Sequence, residues 1–277
     1  MIVATYLEGP EYLENCFRLW QHSFSWADEL WVGVPPGYKP PVEVPNLQVM
    51  EVPVRPLPWE YVGGHCTALA TLPFPHEEEI WLTDPDVLCY YRPKSPLKEA
   101  QGHFALSALP LDPAKRIPMN PFNVPFEQGW EAIRKVVGIT DKVPYFNTGV
   151  VVAKGRTLRS LASSYLYHMN FFYTRRELFG IGHWIAEQIA FSLSFGELWP
   201  AREFRPLPPE YNAMNHEHFL EDWGVTDPML VHYCWKDRLG FNKKNDMLDL
   251  GEFVEGNSGG PLVARVREVA KKYMEER

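Results

Sequence analysis

The sequence lacks several features that would each have indicated a particular class of protein. No run of about 18 apolar residues occurs, so no membrane-spanning helix is predicted. The four cysteines form no CxxC pair and no metal-ligand spacing, so we expect reduced thiols and a cytoplasmic protein. Lysine and arginine form no block and the net charge is -8, which disfavours a protein that grips nucleic acid through broad phosphate neutralisation.

What the sequence does contain is a large share of apolar residues in alternating elements. At 277 residues and 45% hydrophobic, the chain can form a substantial core. Apolar runs and helical periodicity alternate in the first third, which favours an α/β fold with a doubly wound sheet. No linker is evident. The predicted strands are Ile2–Tyr6, 30–34, 47–54, 80–83 and 104–108, and the predicted helices are Glu11–Ser23, 65–72 and 262–276.

Two carboxylates directly follow one of the apolar runs. Residues 80–83 read Ile-Trp-Leu-Thr, and Asp84, Pro85 and Asp86 come next. Such a run is typical of a buried central strand, and α/β sheets bind ligands at the carboxyl ends of their strands. Pro85 stiffens the backbone, so both acids can face one divalent cation, and we expect Asp86 to lie in a cleft rather than in the core. An Asp-Pro turn that closes a strand is the alternative.

Two later segments also join polar side chains to apolar runs. Asn147, Thr148 and Gly149 form a polar turn with short side chains that can bond a sugar hydroxyl, and the glycine lets a ligand approach the backbone. Residues 229–236 are predicted to form an apolar strand that carries His232, with Lys236 four residues on; an imidazole can complete a coordination sphere and an ammonium can neutralise phosphate. A turn without a ligand and a hydrogen-bonded core histidine are the structural alternatives.

The order of these motifs resembles that of the GT-A glycosyltransferases, especially the retaining branch with the glycogenin-like and galactosyltransferase-like enzymes. The resemblance covers most of the chain. Further parallels are WIAEQ at 184–188 and LPPEYN at 207–212. Two details differ from the usual pattern. Glu187 precedes Gln188 where the family usually has Asp, and the late motif lacks the usual Gly and Pro-Trp.

This resemblance implies a GT-A fold, a mixed central sheet flanked by helices, in a single domain of residues 1–277. Residues 1–93 would form the nucleotide-binding half and residues 94–277 the acceptor-side half, which ends in a helix. The implied reaction moves a sugar from a nucleotide-diphosphate sugar with retention of configuration. The donor is by default a UDP-sugar, and a GDP-sugar is the alternative. The acceptor stays open among a glycan, a lipid head group, a protein, a metabolite and a modified base, and the oligomeric state stays open too.

The resemblance also implies roles for individual residues. Asp86 would bind the metal directly, while Asp84 would contact both the metal and the ribose of the donor. The predicted metal ligands are Asp84, Asp86 and His232. The predicted catalytic residues are Glu187, Gln188 and Asn147. The predicted donor-binding residues are Thr5, Tyr6, Asp84, Thr148, Gly149 and Lys236.

The chemistry of the predicted ligands indicates which metal ion would bind. Two carboxylates, one imidazole and two phosphate oxygens approach an octahedral set, and the nitrogen ligand favours Mn²⁺, with Mg²⁺ as the alternative. The ion and Lys236 would stabilise the charge that develops on a leaving diphosphate.

Two other functions share part of the pattern. A sugar-1-phosphate nucleotidyltransferase would share the sheet and a metal carboxylate, but it needs a Gly-rich basic loop where residues 7–11 read LEGPE. A catalytically silent nucleotide-sugar-binding protein is favoured only by Glu187 and the altered late motif. The complete set of Asp84, Asp86 and His232 opposes it.

Overall fold

The computed structural model describes residues 1–7, 11–52, 64–97, 106–112, 115, 122, 124–175, 183–198, 204–216, 218–233 and 242–277. The first part of the chain alternates strands and helices, as the sequence predicts. The elements are β1 (Ile2–Tyr6), α1 (Glu11–Ser23), β2 (Glu29–Val34), β3 (Leu47–Glu51), α2 (Gly64–Thr71) and β4 (Glu79–Thr83). The bounds of β1 and α1 are those predicted.

The rest of the chain is richer in helix. Its strands are β5 (Val87–Cys89), β6 (Leu106–Pro110), β7 (Phe146–Lys154), β8 (Phe204–Pro206), β9 (Ala213–Met214) and β10 (Leu230–His232). Its helices are α3 (Phe126–Val136), α4 (Gly155–Thr174), α5 (His183–Leu198), α6 (Phe219–Trp223), α7 (Lys243–Asp246), α8 (Leu250–Glu255) and α9 (Pro261–Glu275). The LPPEYN segment contains a short 3₁₀ turn, Pro209–Tyr211, and leads into β9. The predicted strand at 104–108 begins among residues outside the described ranges.

The main sheet is mixed and has the order β3-β2-β1-β4-β7-β6-β8. Strands β1 and β4 run parallel, whereas β7 runs antiparallel to β4 with Thr83 opposite Val150. All five residues of β1 are buried, as expected for a central strand that is covered on both faces. This topology places the ends of β1 and β4 beside the start of β7, at one edge of the sheet.

A second sheet of three strands has the order β5-β10-β9. Strand β5 begins directly after Asp86 and pairs antiparallel with β10, with Val87 opposite His232. The pairing therefore carries a residue from the late part of the chain to the end of β4. This register, rather than any local sequence pattern, brings His232 next to the two aspartates.

Helix α1 packs its apolar side against this framework. Cys16, Leu19 and Trp20 are fully buried, as its periodicity predicts. The indole Nε1 of Trp20 donates a hydrogen bond to Thr83 Oγ1 at 2.7 Å, which anchors the last residue of β4. Within the described ranges, the helices are all too short or too polar to span a lipid bilayer.

Candidate functional site

Asp84, Asp86 and His232 converge at the carboxyl end of β4. A ligand atom from each residue lies within 4.8 Å of the others. His232 Nε2 is 3.3 Å from Asp84 Oδ2 and 3.5 Å from Asp86 Oδ1. Asp84 keeps 30% of its side chain exposed, whereas His232 and Asp86 keep 4% and 8%. The cluster therefore opens to solvent on the Asp84 side.

Backbone hydrogen bonds hold the two aspartates in place. The N–H of Val87 donates to the carbonyl of Asp84 at 3.1 Å, which closes a tight turn over Pro85 and Asp86. The N–H of Asp84 donates to Gly149 O at 3.0 Å. The Asp-Pro turn and the carboxylate cluster are thus the same feature, and not alternatives.

Asp86 is more buried than the sequence analysis expects. It lies under the second sheet, where its carbonyl accepts from Tyr233 N–H at 3.1 Å, and its carboxylate Oδ2 accepts from the ammonium of Lys243. Burial raises the pKa of Asp86, but the ammonium of Lys243 and then the imidazole of His232 outweigh burial and lower this pKa to about 2. Asp86 is therefore an ionised carboxylate at neutral pH.

A chain of hydrogen bonds sets the orientation of His232. The N–H of Gly149 donates to Asn147 Oδ1 at 3.0 Å, which identifies that atom as the amide oxygen. Asn212 Nδ2 donates to the same oxygen at 2.7 Å, and Asn212 Oδ1 then lies 3.1 Å from His232 Nδ1. Because an amide oxygen only accepts, Nδ1 carries the proton.

This tautomer has a chemical consequence for the cluster. When His232 is neutral, as a metal ligand must be, the proton on Nδ1 leaves the lone pair of Nε2 directed at the two carboxylates. A cation between the three groups could then take the place of a proton on Nε2. Histidines that bind metals characteristically donate their second ring N–H to an acceptor such as Asn212.

The spacing of the three groups also fits a divalent ion. Two ligands in cis positions at about 2.2 Å from one ion stand roughly 3.1 Å apart. The separations of 3.3 and 3.5 Å between His232 Nε2 and the two carboxylates lie close to that value. Carboxylate oxygens and an imidazole nitrogen are both ordinary ligands of divalent ions, so these residues fit a divalent metal.

Gly149 makes room for the imidazole. A Cβ atom at this position would lie 2.2 Å from His232 Cε1 and 2.3 Å from His232 Nδ1. Real Cβ contacts are never so close, so the absence of a side chain here lets His232 approach β7. Its predicted role in donor binding stays a prediction.

Of the remaining predicted site residues, all but Lys236 belong to the described part of the chain. Thr5 and Tyr6 are buried at the end of β1. The polar turn predicted at residues 147–149 is wrong, because these residues belong to strand β7, where Thr148 is buried. Glu187 is buried on α5, which packs against β7, and Gln188 beside it is half-buried. Their roles stay predictions. Lys236 lies outside the described residues.

Two residues that contact the cluster, Asn212 and Lys243, were not among the site residues predicted from the sequence. Asn212 belongs to the LPPEYN segment, which the sequence analysis noted as a parallel to the GT-A enzymes. That pattern did not indicate its hydrogen bond to His232. Lys243 opens the short helix α7 and reaches Asp86 from there. No spacing rule links Lys243 to an aspartate so far away in sequence.

No protein-family model and no curated protein sequence matches this chain. Among solved structures, the galactosyltransferase LgtC bound to donor and acceptor sugar analogues matches with a TM-score of 0.56 and 13% identity, over 99% of this chain and 94% of LgtC. An active-site mutant of LgtC gives 0.58 and 13%, over 98% and 96%. The bifunctional glycosyltransferase WbbM gives 0.54 and 14%, over 99% of this chain but 51% of WbbM. At these identities the likeness concerns the fold.

Proposed function

We propose that this chain, which has the GT-A glycosyltransferase fold, is a metal-dependent glycosyltransferase acting on a nucleotide-diphosphate sugar. The observation that carries the proposal is the convergence of Asp84, Asp86 and His232 at the carboxyl end of β4. The donor class is supported by the likeness to LgtC, whose structure contains donor and acceptor sugar analogues. UDP-sugar is the proposed donor and Mn²⁺ the proposed metal, with Mg²⁺ as the alternative.

The proposed reaction gives each group of residues a task. A divalent ion in this site would neutralise negative charge on the diphosphate as the bond to the sugar breaks. Asp84, the most exposed of the three ligands, faces the side from which a donor would enter. The hydrogen bonds through Asn147 and Asn212 keep Nε2 of His232 directed at the carboxylates, so the site needs little rearrangement on binding.

Further parts of the proposal rest on the resemblance. Thr5 and Tyr6 would contact the base, and Asn147, Glu187 and Gln188 would lie near the transferred sugar. Residues 1–93 would serve the nucleotide and residues 94–277 the acceptor. Retention of configuration follows if the acceptor attacks from the side of the leaving diphosphate. A cytoplasmic location is supported by the cysteines, since Cys16 and Cys89 are buried free thiols.

The experiment that tests the proposal is a thermal-shift panel of UDP, GDP, CMP and their sugars, with and without Mn²⁺. A nucleotide at about 100 times its Kd should add about 2.7 kcal/mol of stability. We expect Mn²⁺-dependent stabilisation by UDP or UDP-sugars in the wild type and its loss in Asp84→Asn. Asp227→Asn is the matched control, because Asp227 is an exposed carboxylate paired with Arg265.

The outcomes separate the possibilities. Stabilisation by GDP instead would keep the enzyme class and change the donor. If no nucleotide stabilises the wild type, with or without Mn²⁺, the proposal is wrong. A nucleotide effect that persists unchanged in Asp84→Asn would remove the aspartate from the donor site.

A further inference from the structure

Lys243 and His232 lie against different oxygens of the Asp86 carboxylate. The ammonium of Lys243 donates to Oδ2, while Oδ1 faces Nε2 of His232 at 3.5 Å. The contact is largely shielded from water, since the side chains of Lys243 and Asp86 are 22% and 8% exposed. Because shielding from water strengthens charge interactions, the ammonium of Lys243 should strongly repel a cation, and attract an anion, that binds beside Asp86.

The charges of the cluster determine how a metal ion would bind. Asp84 and Asp86 carry two negative charges, and the ammonium of Lys243 cancels one of them. A divalent ion would therefore leave the cluster with a net positive charge. A diphosphate brings the negative charge that both the ion and the ammonium attract. Without the lysine, the two carboxylates alone would balance the ion.

We infer that Lys243 makes tight metal binding depend on the donor diphosphate. In the free protein the ammonium opposes a divalent ion on Asp84, Asp86 and His232. When a nucleoside diphosphate is present, its phosphates offset the positive charge of both, so metal and nucleotide bind cooperatively. Because of Lys243, the metal would therefore bind tightly only when the donor diphosphate is bound as well. The inference rests on the proposed metal site and adds the residue that couples the metal to the nucleotide.

The test measures Mn²⁺ binding directly, with and without UDP. Free Mn²⁺ is counted from its electron paramagnetic resonance signal during titration of the full chain. The proteins are wild type, Lys243→Gln, Lys243→Arg and Lys271→Met. Gln keeps a hydrogen-bond donor for Asp86 without the charge, and Arg keeps the charge. Lys271 is an exposed lysine of α9 near Glu275 and serves as the control.

The expected results follow from the charges. Lys243→Gln should bind Mn²⁺ alone more tightly than wild type, by at least about fivefold, the lower end of ordinary coupling factors between sites. UDP should strengthen Mn²⁺ binding by wild type, by Lys243→Arg and by Lys271→Met at least about fivefold, and by Lys243→Gln clearly less. Near-ultraviolet circular dichroism checks that each protein is folded.

Several outcomes would overturn the inference. It is wrong if Lys243→Gln and wild type bind Mn²⁺ alone equally, or if UDP strengthens Mn²⁺ binding equally in both. It is also wrong if the wild type binds Mn²⁺ as tightly without UDP as with it, a comparison that needs no variant. If no protein binds Mn²⁺, even with UDP, the proposed metal site is wrong as well. The other outcomes contradict only the role of Lys243 and leave the proposed metal site standing.

Discussion

The α-carbon of Gly149 lies against the imidazole of His232, where an added methyl group would come within 2.2 Å of Cε1. Strand β7 therefore sets the depth to which the histidine can enter the cluster. The same glycine donates its N–H to Asn147 and accepts from the N–H of Asp84 through its carbonyl. Gly149 thus contacts His232 on one side of the proposed metal site and holds the backbone of Asp84 on the other.

Gly149→Ala should displace His232 from the cluster. Overpacking a tight contact costs about 1–3 kcal/mol, and loss of an oriented metal ligand lowers affinity about 10- to 100-fold. Urea unfolding and Mn²⁺ titration measure the two effects. Gly256→Ala is the control, because a Cβ there would meet its nearest atom at an ordinary 3.4 Å. Unchanged Mn²⁺ affinity in Gly149→Ala would show that the position of the imidazole does not matter for binding.

Asn212→Ala should release His232 from its fixed tautomer. The variant loses the oxygen that accepts the Nδ1 proton, so Mn²⁺ affinity should fall about 10- to 100-fold. A histidine NMR spectrum should also show the ring nitrogens of His232 changing from the Nδ1–H form to a mixture. Asn15→Ala removes a comparable amide that bonds the carbonyl of Met247 and serves as the control. An unaltered tautomer in Asn212→Ala would contradict the hydrogen-bond chain.

Trp20 and Thr83 should be energetically coupled. Trp20→Phe leaves the buried hydroxyl of Thr83 without its 2.7 Å donor, which should cost about 1–3 kcal/mol of unfolding free energy. Thr83→Val removes the acceptor as well, so the double variant should be destabilised by less than the sum of the single changes, by at least about 0.5 kcal/mol. Urea unfolding of the four proteins measures this cycle. Strict additivity would mean that the bond adds nothing to stability.

His168 should make stability depend on pH near neutrality. Burial lowers the pKa of His168 in the folded chain, against the opposing influence of Glu197. Because the unfolded chain then binds a proton more readily, this contribution to stability is fully present above the ordinary pKa of 6.5 and is lost as pH falls below it. His168→Gln should therefore have a smaller rise in unfolding free energy between pH 5.5 and about 7.5 than wild type. An equal rise in both proteins would contradict this account, and the more exposed His218→Gln is the control.

Much of the fold could be predicted from the sequence because its central elements obey local rules. The apolar runs of β1 and β4 and the periodic face of α1 fall where predicted, and the predicted GT-A fold is confirmed by the solved structures it resembles. The two strands lie in the middle of a covered sheet, where burial on both faces leaves a continuous apolar signal. Strand β9, of only two residues, gives no such signal.

The three residues of the cluster could be predicted from the sequence, but their surroundings could not. Asp84 and Asp86 follow one apolar run and His232 lies in another, so these three residues could be picked out from the sequence. Asn212 and Lys243 reach the cluster only through the pairing of distant segments, which no local spacing encodes. The burial of Asp86 has the same origin, since it follows from the second sheet and not from the Asp-Pro turn.

The register of β5 against β10 has a consequence for the order in which the molecule is assembled. Val87 pairs with His232, so the third proposed ligand belongs to a strand that is synthesised long after the aspartates. Closing so long a stretch of chain is slow and entropically costly. A nascent chain would hold Asp84 and Asp86 without their histidine until β10 had been synthesised and paired. Acquisition of the metal would therefore mark the completion of folding rather than its nucleation.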